Sequence, residues 1–582
     1  MSAKSPDLLT MSRRNIIQLG ASALAMASLR HSHGADTSAE LANVAVAQNG
    51  LVASVHPLAT DAGVAALKRG GNAVDAAIAT ALTLGVVDGH NSGIGGGCFI
   101  LIRRANGQFA AIDGRETAPA TATRNMYLKN GEPQGEWSVT GPLAVGTPGA
   151  LAAYELAMKS HGKLRLKDLL LPAAEIAENG FSLDRIYARN LKSSQKSLAK
   201  FPASAALLLK PDGSPRVEGD VIQQPDLART YRQIVEQGCD YFYRGPFAVA
   251  VGKWMKENGG LLTANDLANY EPRLRQPLMS TYRNRTIVGF PPPSSGGVHV
   301  AQILNILESF DLPSSYKQSP SEFTHIVAEA MKLAFADRAY WLGDPAFANV
   351  PRGLIDKKYA NELAAKINPR EVIKVPKQGE PPAWQSDVFA KHTTHIATAD
   401  AAGNWVALTQ TINTSFGSKV IVPGTGVFLN NEMDDFSIAP GKPNAFGLVG
   451  AEANAVAPLK RPLSSMSPTI VLERDQPVMT LGAAGGPTII SQVLLAIVRH
   501  FDLGLSLEDA LAQPRFHHQW SPDELRLEAS TSVDLQKDLE ARGHKLKPVS
   551  AIGTAQGIVW DKKAKEFRGA HDPRVPGKAA GL

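Results

Sequence analysis

The sequence predicts an α+β fold in which sheets are sandwiched between helices. Residues 150–275 and 320–370 have mainly helical patterns, whereas short strand-like runs dominate from residue 393 onward. A proline-rich run, KVPKQGEPPAWQSDVFA (374–390), separates the two regions. Because helices and sheets must bury their apolar faces against each other, one compact unit of this composition favours sheets covered by helices.

The composition describes an ordinary globular protein. The chain has 582 residues, 44% of them hydrophobic and 20% charged, with a net charge of +6. Lysine and arginine are scattered and not interleaved with aromatics, which argues against a nucleic-acid partner. Cys98 and Cys239 form neither a CxxC motif nor a zinc-binding spacing, and a single disulfide between them stays open.

The N-terminus has the pattern of an export signal. SRRNIIQLGASALAMASL (12–29) joins two arginines to an apolar run of about 15 residues, shorter than the ~20 that span a bilayer. Small residues follow near Ala35. The pattern predicts a twin-arginine signal over residues 1–35 and a bacterial periplasmic location, with an amphipathic cytosolic helix as the alternative.

The N-terminal part begins with strands and two alanine-rich helices. Residues 44–55 predict strand and turn, and residues 56–87 predict two helices joined at Gly70 and Gly71. Apolar residues fill nearly every face of the second helix, which predicts that it is buried. GIGGGCFILIRR (93–104) predicts a turn feeding a strand; without the Lys-Ser/Thr of a P-loop, its glycines indicate close backbone packing.

The C-terminal third alternates strand-like runs with turns before it ends in helices. The strand-like runs are THIATA, WVALTQTI, GVFLNN, SPTIVLER and PVMTLGAA. Helices are predicted over residues 488–501 and near 506–513, and upstream over 321–342. No internal repeat is present in the sequence.

The stretch KHTTHIATAD (391–400) places two threonines at the start of a predicted strand. Threonine is a common strand former, and its hydroxyl becomes a useful nucleophile only beside a base. Only His392 and His395 are near in sequence. The residues alone therefore leave open whether the threonines are structural or catalytic.

Four other stretches supply polar groups that suit one kind of ligand. They are NNEMDDF with Glu432, Asp434 and Asp435, RPLSSMSP with paired serines, LGAAGGPTII, and IDGRETAPA with Arg115. No histidine lies at ligand spacing from the acids, so a metal site is not favoured. An arginine with hydroxyls can hold a carboxylate, acids an ammonium, and glycine N–H groups an oxyanion. An amino acid whose side chain carries the reacting carbonyl fits this set.

These motifs, together with GGNAVDAAIA and DGRETAPA, closely resemble the γ-glutamyltranspeptidase family, whose members are also called glutathione hydrolases. The resemblance runs from about residue 44 to the C-terminus, with six motifs in the family's order. It implies a four-layer αββα sandwich of the N-terminal nucleophile hydrolase type. It also implies a precursor that cuts itself between His392 and Thr393 into an associated large subunit (36–392) and small catalytic subunit (393–582).

The resemblance also implies the role of each site residue. Thr393 is the nucleophile, and its new α-amino group is the base. Thr411 is the second threonine, which orients the nucleophile. The implied oxyanion hole is Gly485 and Gly486. The implied substrate-binding residues are Arg115, Ser464 and Ser465 for the α-carboxylate, and Asn413, Glu432 and Asp435 for the α-amino group.

The implied activity is attack of Thr393 on the γ-glutamyl amide of glutathione or a similar compound. The resulting ester passes the glutamyl group to water or to an amino acid or peptide acceptor, with no metal or organic cofactor. Two alternatives stay open: an acylase of the same fold that cleaves glutaryl-type amides, and an uncleaved relative that only binds γ-glutamyl compounds. Retention of Glu432 and Asp435 argues against the acylase, and retention of Thr393 against the binding protein.

The sequence departs from the family pattern at three places. Cys98 replaces a glycine, and Phe446 occupies the position of a tyrosine in the lid IAPGKPNAFGLVG (438–450). Pro487 and Thr488 follow the two glycines where many members have Ser-Arg. The last change predicts a shifted helix start beside Gly486.

Overall fold

The computed structural model describes residues 44–382 and 395–582. The predicted export signal and the predicted cleavage position, including Thr393, lie outside the described residues. The strands are β1 Val44–Ala47, β2 Gly50–Ser54, β3 Gly97–Arg103, β4 Phe109–Gly114, β5 Leu128–Lys129, β6 Glu132–Pro133, β7 Phe181–Ser182, β8 Val221–Ile222, β9 Arg273–Arg275, β10 Leu278–Tyr282, β11 Arg285–Gly289, β12 His395–Asp400, β13 Trp405–Thr411, β14 Thr469–Glu473, β15 Gln476–Ala484, β16 Phe516–His517, β17 Leu525–Glu528, β18 Leu546–Val549, β19 Thr554–Asp561, β20 Glu566–Ala570 and β21 Lys578–Gly581.

The α-helices lie mainly between β4 and β12 along the chain. They are α1 Pro57–Lys68, α2 Ala73–Val87, α3 Gly135–Val139, α4 Ala150–His161, α5 Leu166–Asn179, α6 Arg185–Leu198, α7 Pro202–Leu208, α8 Pro225–Gln237, α9 Asp240–Tyr243, α10 Pro246–Glu257, α11 Ala264–Ala268, α12 Gly296–Leu307, α13 Leu312–Gln318, α14 Pro320–Trp341, α15 Lys357–Ala364, α16 Thr488–Phe501, α17 Leu507–Ala512 and α18 Val533–Ala541. Within the described residues, no helix is both long and apolar enough to cross a membrane.

Two seven-stranded antiparallel sheets form the centre of the molecule. One has the strand order β21-β2-β12-β13-β3-β4-β9, and the other has the order β1-β20-β19-β15-β14-β11-β10. Each sheet combines strands from both sides of the proline-rich run. The helix-rich and strand-rich regions of the sequence therefore share both sheets and do not form separate layers.

The burial pattern of the strands gives the predicted four layers. In β3, Phe99 and Leu101 join a core cluster between the two sheets, while Ile100 and Ile102 join a second cluster with α2, α4, α5 and α8. Successive strand residues point to opposite faces, so both faces of this sheet are covered. The other sheet packs its outer face against α12, α14 and α16. The αββα sandwich is confirmed.

Local chemistry explains the elements that lead to the site. Asn72 caps α2 with Asp75 in a reciprocal capping box, and every residue of α2 is buried, as predicted. The glycine-rich turn before β3 allows close backbone approach, because a Cβ on Gly95 would lie 2.0 Å from the carbonyl of Phe428. A Cβ on Gly96 would lie 1.8 Å from the carbonyl of Thr411. The packing reason predicted for these glycines is confirmed.

Two details of the sequence interpretation need comment. The run GVFLNN forms no strand; only an isolated bridge joins Phe428 to Ile421, because this segment turns against the glycines before β3. Cys98 and Cys239 are both buried free thiols, so the disulfide left open by the sequence is absent. The helices predicted over 321–342, over 488–501 and near 506–513 are confirmed as α14, α16 and α17.

Candidate active site

Thr411 and Asn413 lie together where β13 ends. Thr411 pairs with Gly97, the first residue of β3. Its hydroxyl accepts a 2.7 Å hydrogen bond from the backbone N–H of Asn413. Asn413 has a φ of 76°, and its side-chain amide donates to the carbonyl of Asn431 at 2.9 Å. The two predicted residues are therefore fixed in one turn at the C-terminal end of the central strand β13.

His395 is the first residue of β12 and lies beside the C-terminal end of β13. Its Nδ1 lies 3.3 Å from the hydroxyl of Thr409, and burial lowers the pKa of His395 to about 3. The ring is therefore neutral at neutral pH and a weak base. Thr393 and His392 lie outside the described residues. Of the two histidines near the threonines, the one that the structure describes is unsuited to activate a hydroxyl.

Arg115 is the charged centre of the site. It directly follows β4 and is fully buried. Its guanidinium hydrogen-bonds Glu432, bonds Asp435 at 2.7 Å and lies 3.3 Å from Glu116. The arginine predicted to bind a carboxylate and the acids predicted to bind an ammonium are therefore direct partners.

Three carboxylates surround this single guanidinium, and burial raises the pKa of two of them. Burial raises the pKa of Glu116 to about 7, although Arg115 opposes the shift. Burial also raises the pKa of Glu432 well above its usual value. For Arg115 burial opposes the charge, but Glu432 and the neighbouring acids outweigh it and raise its pKa, so the guanidinium stays charged. When ionised, Glu116 Oε1 and Glu432 Oε2 have no donor among the described residues, and an ammonium would supply one.

Ser464 and Ser465 lie beside a second buried arginine. Arg338 of α14 donates to the hydroxyl of Ser465 at 3.0 Å and to that of Ser295 at 2.9 Å. The hydroxyl of Ser295 donates in turn to the carbonyl of Ser464. Burial lowers the pKa of Arg338 to about 10, against the attraction of Asp435, so it stays charged at neutral pH. No carboxylate in the described part of the chain forms an ion pair with Arg338.

The predicted oxyanion residues form the turn between β15 and α16. Gly485 has a φ of 132° and Gly486 a φ of 58°, conformations that favour glycine. Neither N–H donates to another residue in the described ranges, and both precede a helix whose N-terminal dipole favours negative charge. The hydroxyl of Thr488 donates to the carbonyl of Gly485 at 2.7 Å. Thr488 therefore stabilises the turn at the start of α16.

The predicted lid reaches this glycine turn. A Cβ on Gly486 would lie 2.7 Å from the ring of Phe446, so the ring rests directly on the glycine. Asp434 accepts a 3.1 Å hydrogen bond from the N–H of Ala445. The side-chain amide of Gln519 donates to the carbonyl of Gly447 at 3.1 Å. Phe446 makes the lid contact through its ring, without the hydroxyl that a tyrosine would add.

The comparisons with known proteins agree with this geometry. The family model described as Gamma-glutamyltranspeptidase matches residues 59–582. The chain belongs to the gamma-glutamyltranspeptidase family. The glutathione hydrolase proenzyme of Escherichia coli (strain K12) is 44% identical over 531 residues, which are 91% of this chain and 91% of that protein.

Solved structures of enzymes give the same fold. The crystal structure of cephalosporin acylase from Bacillus halodurans has a TM-score of 0.82 at 30% identity, and covers 93% of this chain and 97% of that one. Helicobacter pylori gamma-glutamyltranspeptidase has a TM-score of 0.54 at 42% identity, over 55% of this chain and 92% of the other. This member of the gamma-glutamyltranspeptidase family is therefore an enzyme with the N-terminal nucleophile hydrolase fold.

Sequence reasoning missed Glu116 and Arg338, which lie in this candidate site. Glu116 lies within the DGRETAPA motif, and its contact with Arg115 could have been suspected from adjacency. A Cβ on Gly97 would lie 2.3 Å from Glu116 Oε2, which places Glu116 beside the strand pair that ends at Thr411. Arg338 lies in a helix 127 positions before Ser465, and no local pattern marks it.

One group in the described residues offers donor atoms for a metal ion: His325, Glu329 and His544. Most of its polar atoms have partners within the protein; Glu329 Oε1 accepts no hydrogen bond from a described residue and lies in an ion pair with Lys332. His325 bonds His544 at 2.8 Å and the carbonyl of Asn368 at 2.7 Å, and Glu329 pairs with Lys332 at 2.8 Å. These contacts join the group into a buried polar network.

Proposed function

We propose that this chain is a γ-glutamyltransferase and glutathione hydrolase that matures by cutting itself between His392 and Thr393. The large subunit comprises residues 36–392 and the small catalytic subunit residues 393–582. Both sheets combine strands from the two segments, which supports a tightly associated heterodimer after cleavage. Residues 1–35 direct export through the twin-arginine route, and the mature enzyme is periplasmic.

The observation that carries the proposal is the combination of buried charges of both signs at one edge of the sandwich. Arg115 contacts Glu432 and Asp435, while the cation Arg338 contacts Ser465. A buried site of this kind needs a ligand that supplies both an anion and a cation. The α-amino and α-carboxylate groups of a γ-glutamyl compound are such a pair.

The position of the site supports Thr393 as the nucleophile. Thr393 precedes His395 by two residues, and an extended chain spans at most about 3.5 Å per residue. His395 contacts Gly482, where a Cβ would lie 2.3 Å from the ring, and Gly485 follows three residues later. Thr411 and Asn413 lie at the same edge. Because Thr393 is only two residues from His395, its hydroxyl can reach the turn at Gly485.

Cleavage supplies the base that the neighbouring sequence lacks. The α-amino group of Thr393 has an unperturbed pKa of about 7.7–8.0, so a useful fraction is neutral near pH 7. It takes the hydroxyl proton as the oxygen attacks the γ-carbonyl carbon. The N–H groups of Gly485 and Gly486 hold the oxyanion, and the leaving amine takes the proton as the C–N bond breaks.

The resulting γ-glutamyl ester of Thr393 has two fates. Water attacks it and releases glutamate, or the amine of an amino acid or peptide attacks it and forms a new γ-glutamyl amide. In both cases the attacking group gives its proton to the α-amino group and the ester oxygen regains one. The proposed steps use side-chain and backbone groups of the chain and require no metal or organic cofactor.

Paired substrates test the assignment against the acylase alternative. γ-Glutamyl-p-nitroanilide and glutaryl-p-nitroanilide differ only in the α-amino group. Because Glu116, Glu432 and Asp435 form an anionic subsite, we expect higher kcat/KM for the γ-glutamyl compound. Faster turnover of the glutaryl compound would establish the acylase. The identity of 44% to the glutathione hydrolase of Escherichia coli, against 39% to the Acylase ACY 1 proenzyme of Pseudomonas sp. (strain SE83), supports the first outcome.

A denaturing gel tests the binding-protein alternative. An active preparation of a self-processing enzyme gives two fragments, whereas an uncleaved binding protein gives one full-length band and no release of p-nitroaniline. The Thr393→Ala variant should stay full-length.

A further inference from the structure

An open cavity of about 730 Å³ lies at the end of the sandwich opposite the candidate active site. Asp400, the last residue of β12, and Trp405, the first residue of β13, both line it. His395 and Thr411, which lie in the candidate active site, are the other end residues of the same two strands. Because a strand rises about 3.4 Å per residue, the two ends of β13 are about 20 Å apart. The cavity is therefore separate from the candidate active site.

Three aromatic rings from both sheets line the cavity. Trp405 of β13 and Phe567 of β20 belong to the core cluster between the sheets, and Trp560 of β19 packs against that cluster. The ring centroids of Trp405 and Phe567 are 5.6 Å apart, and those of Trp560 and Phe567 are 4.8 Å apart. Aromatic rings attract one another at such distances, and Trp560 is only partly buried. A planar aromatic ligand can therefore add a further ring to this set.

Arg103 gives the same cavity a buried cation. This last residue of β3 is 6% exposed, and it donates to the carbonyl of Gly403 at 2.9 Å and to that of Asp475 at 3.3 Å. Gly403 lies between β12 and β13, and Asp475 lies between β14 and β15, so Arg103 joins the two sheets. Its Nε has no hydrogen-bond partner among the described residues, and its other N–H groups donate to backbone carbonyls, not to a carboxylate. A buried donor of this kind is costly unless a ligand or water accepts from it.

The other charged side chains that line the cavity already have partners or are exposed. The carboxylate of Asp400 accepts from the side-chain amide of Asn404 at 2.9 Å. Lys562 forms an ion pair with Glu473. Asp475 is exposed, so solvent and salt screen its charge. The buried arginine is therefore the lining cation that an anionic ligand can neutralise.

We propose that this cavity is a second binding site, which takes a small aromatic carboxylate. The ring of the ligand stacks against Trp560, and its carboxylate accepts a hydrogen bond from Nε of Arg103. The cavity volume lies within the range of about 300–1,000 Å³ that is usual for small-molecule sites. None of the residues proposed to bind the glutamyl group or the oxyanion lines the cavity. The inference therefore goes beyond the proposed function and does not depend on it.

Two probes that differ in charge test the site in the wild-type protein. 4-Fluorophenylacetate and 4-fluorophenylacetamide carry the same ring, and fluorine NMR follows the binding of each. The acid should bind about fivefold to tenfold more tightly than the amide, the effect of one charge-assisted hydrogen bond in a partly open site. Saturating L-glutamate should not displace the acid, because the proposed glutamyl site lies at the other end of the sandwich.

Matched variants assign the preference for the acid to one side chain. Arg103→Gln should remove the preference. Arg104→Gln removes the same charge from the next residue, which is exposed and outside the lining, and should retain it. Trp560→Leu should weaken the binding of both probes about threefold, because both use the ring. Arg103 also joins the two sheets, so the melting temperature of each variant is measured in parallel.

Several results would overturn this second site. One is a wild-type protein that binds neither probe, or binds the acid and the amide equally well. Another is displacement of the acid by L-glutamate, which would place the probe in the glutamyl site. A folded Arg103→Gln variant that keeps the preference, or an Arg104→Gln variant that loses it to the same extent, would also contradict the assignment. If Arg103→Gln does not fold, the wild-type comparison and Trp560→Leu still decide the question.

Discussion

The guanidinium of Arg338 donates a 3.0 Å hydrogen bond to the hydroxyl oxygen of Ser465 in the interior of the protein. Because that oxygen accepts from Arg338, the hydroxyl of Ser465 lies directly beside a buried positive charge. The buried charge also acts directly, since an ion in a low-dielectric interior attracts an anion strongly. Arg338 therefore orients Ser465 and adds positive charge to the proposed carboxylate subsite.

Replacing Arg338 should remove the recognition of the α-carboxylate. We expect Arg338→Met to lower kcat/KM for γ-glutamyl-p-nitroanilide by about tenfold or more, the effect of losing one charge-assisted hydrogen bond. The loss for 4-aminobutyryl-p-nitroanilide, which lacks the α-carboxylate, should be much smaller. Arg338→Lys retains the charge, and its kcat/KM for γ-glutamyl-p-nitroanilide should fall between those of the wild type and Arg338→Met. Equal losses on both substrates would assign Arg338 a purely structural role.

The raised pKa of Glu116 predicts a pH dependence of glutamate binding. The pKa of Glu116 is about 7, so the group is protonated below and ionised above that pH. The ammonium of a bound glutamate favours the ionised form, and affinity therefore rises as pH rises through about 7. We expect the inhibition constant of L-glutamate to improve by up to about tenfold between about pH 6 and about pH 8.

The Glu116→Gln variant is the control for that experiment. Its inhibition constant should change little over the same range, because the titrating carboxyl is gone. Inhibition by glutamate reports the glutamyl site without the chemical step, and any contribution from titration of the Thr393 amine is the same in the wild type and in Glu116→Gln. If the inhibition constant of Glu116→Gln changes with pH as much as that of the wild type, the titrating group is not Glu116.

The contact between Phe446 and Gly486 predicts a non-additive pair of substitutions. Gly486→Ala places a Cβ 2.7 Å from the Phe446 ring on a backbone with a φ of 58°. We expect kcat to fall by about 10²-fold, as when an oxyanion donor is misplaced. Adding Phe446→Ala relieves the clash but not the backbone strain, so activity should recover in part. Purely multiplicative effects in the double-mutant cycle would mean that the ring and the glycine act independently.

The residue patterns predicted most elements, and sheets covered by helices, because these signals are local, whereas the four-layer arrangement was implied by the family resemblance. The all-apolar pattern of α2 follows from helical periodicity, and the alternation of β3 side chains between two core clusters follows from strand periodicity. The prediction of a strand at GVFLNN was wrong because the glycines before β3, against which this segment packs, are distant in sequence. The mixing of strands from both halves in each sheet likewise depends on long-range pairing, which composition does not reveal.

The site was predicted mainly through the resemblance to known enzymes, and the missed residues show why. Glu116 contacts its sequence neighbour Arg115. Its proposed role depends on Glu432 and Asp435, which the fold brings to the same arginine from a distant segment. Arg338 reaches Ser465 from α14, and its importance comes from the absence of a neutralising carboxylate among the described residues. Charge balance in a buried pocket depends on the tertiary fold, so neither role is visible in a linear motif.

The most direct test of the account is N-terminal sequencing of the smaller fragment from an active preparation. Self-cleavage between His392 and Thr393 gives a fragment that starts at Thr393, and the Thr393→Ala chain should stay in one piece and form no γ-glutamyl ester. A fragment that starts elsewhere, or full activity from an intact chain, would contradict the claim that cleavage creates the base.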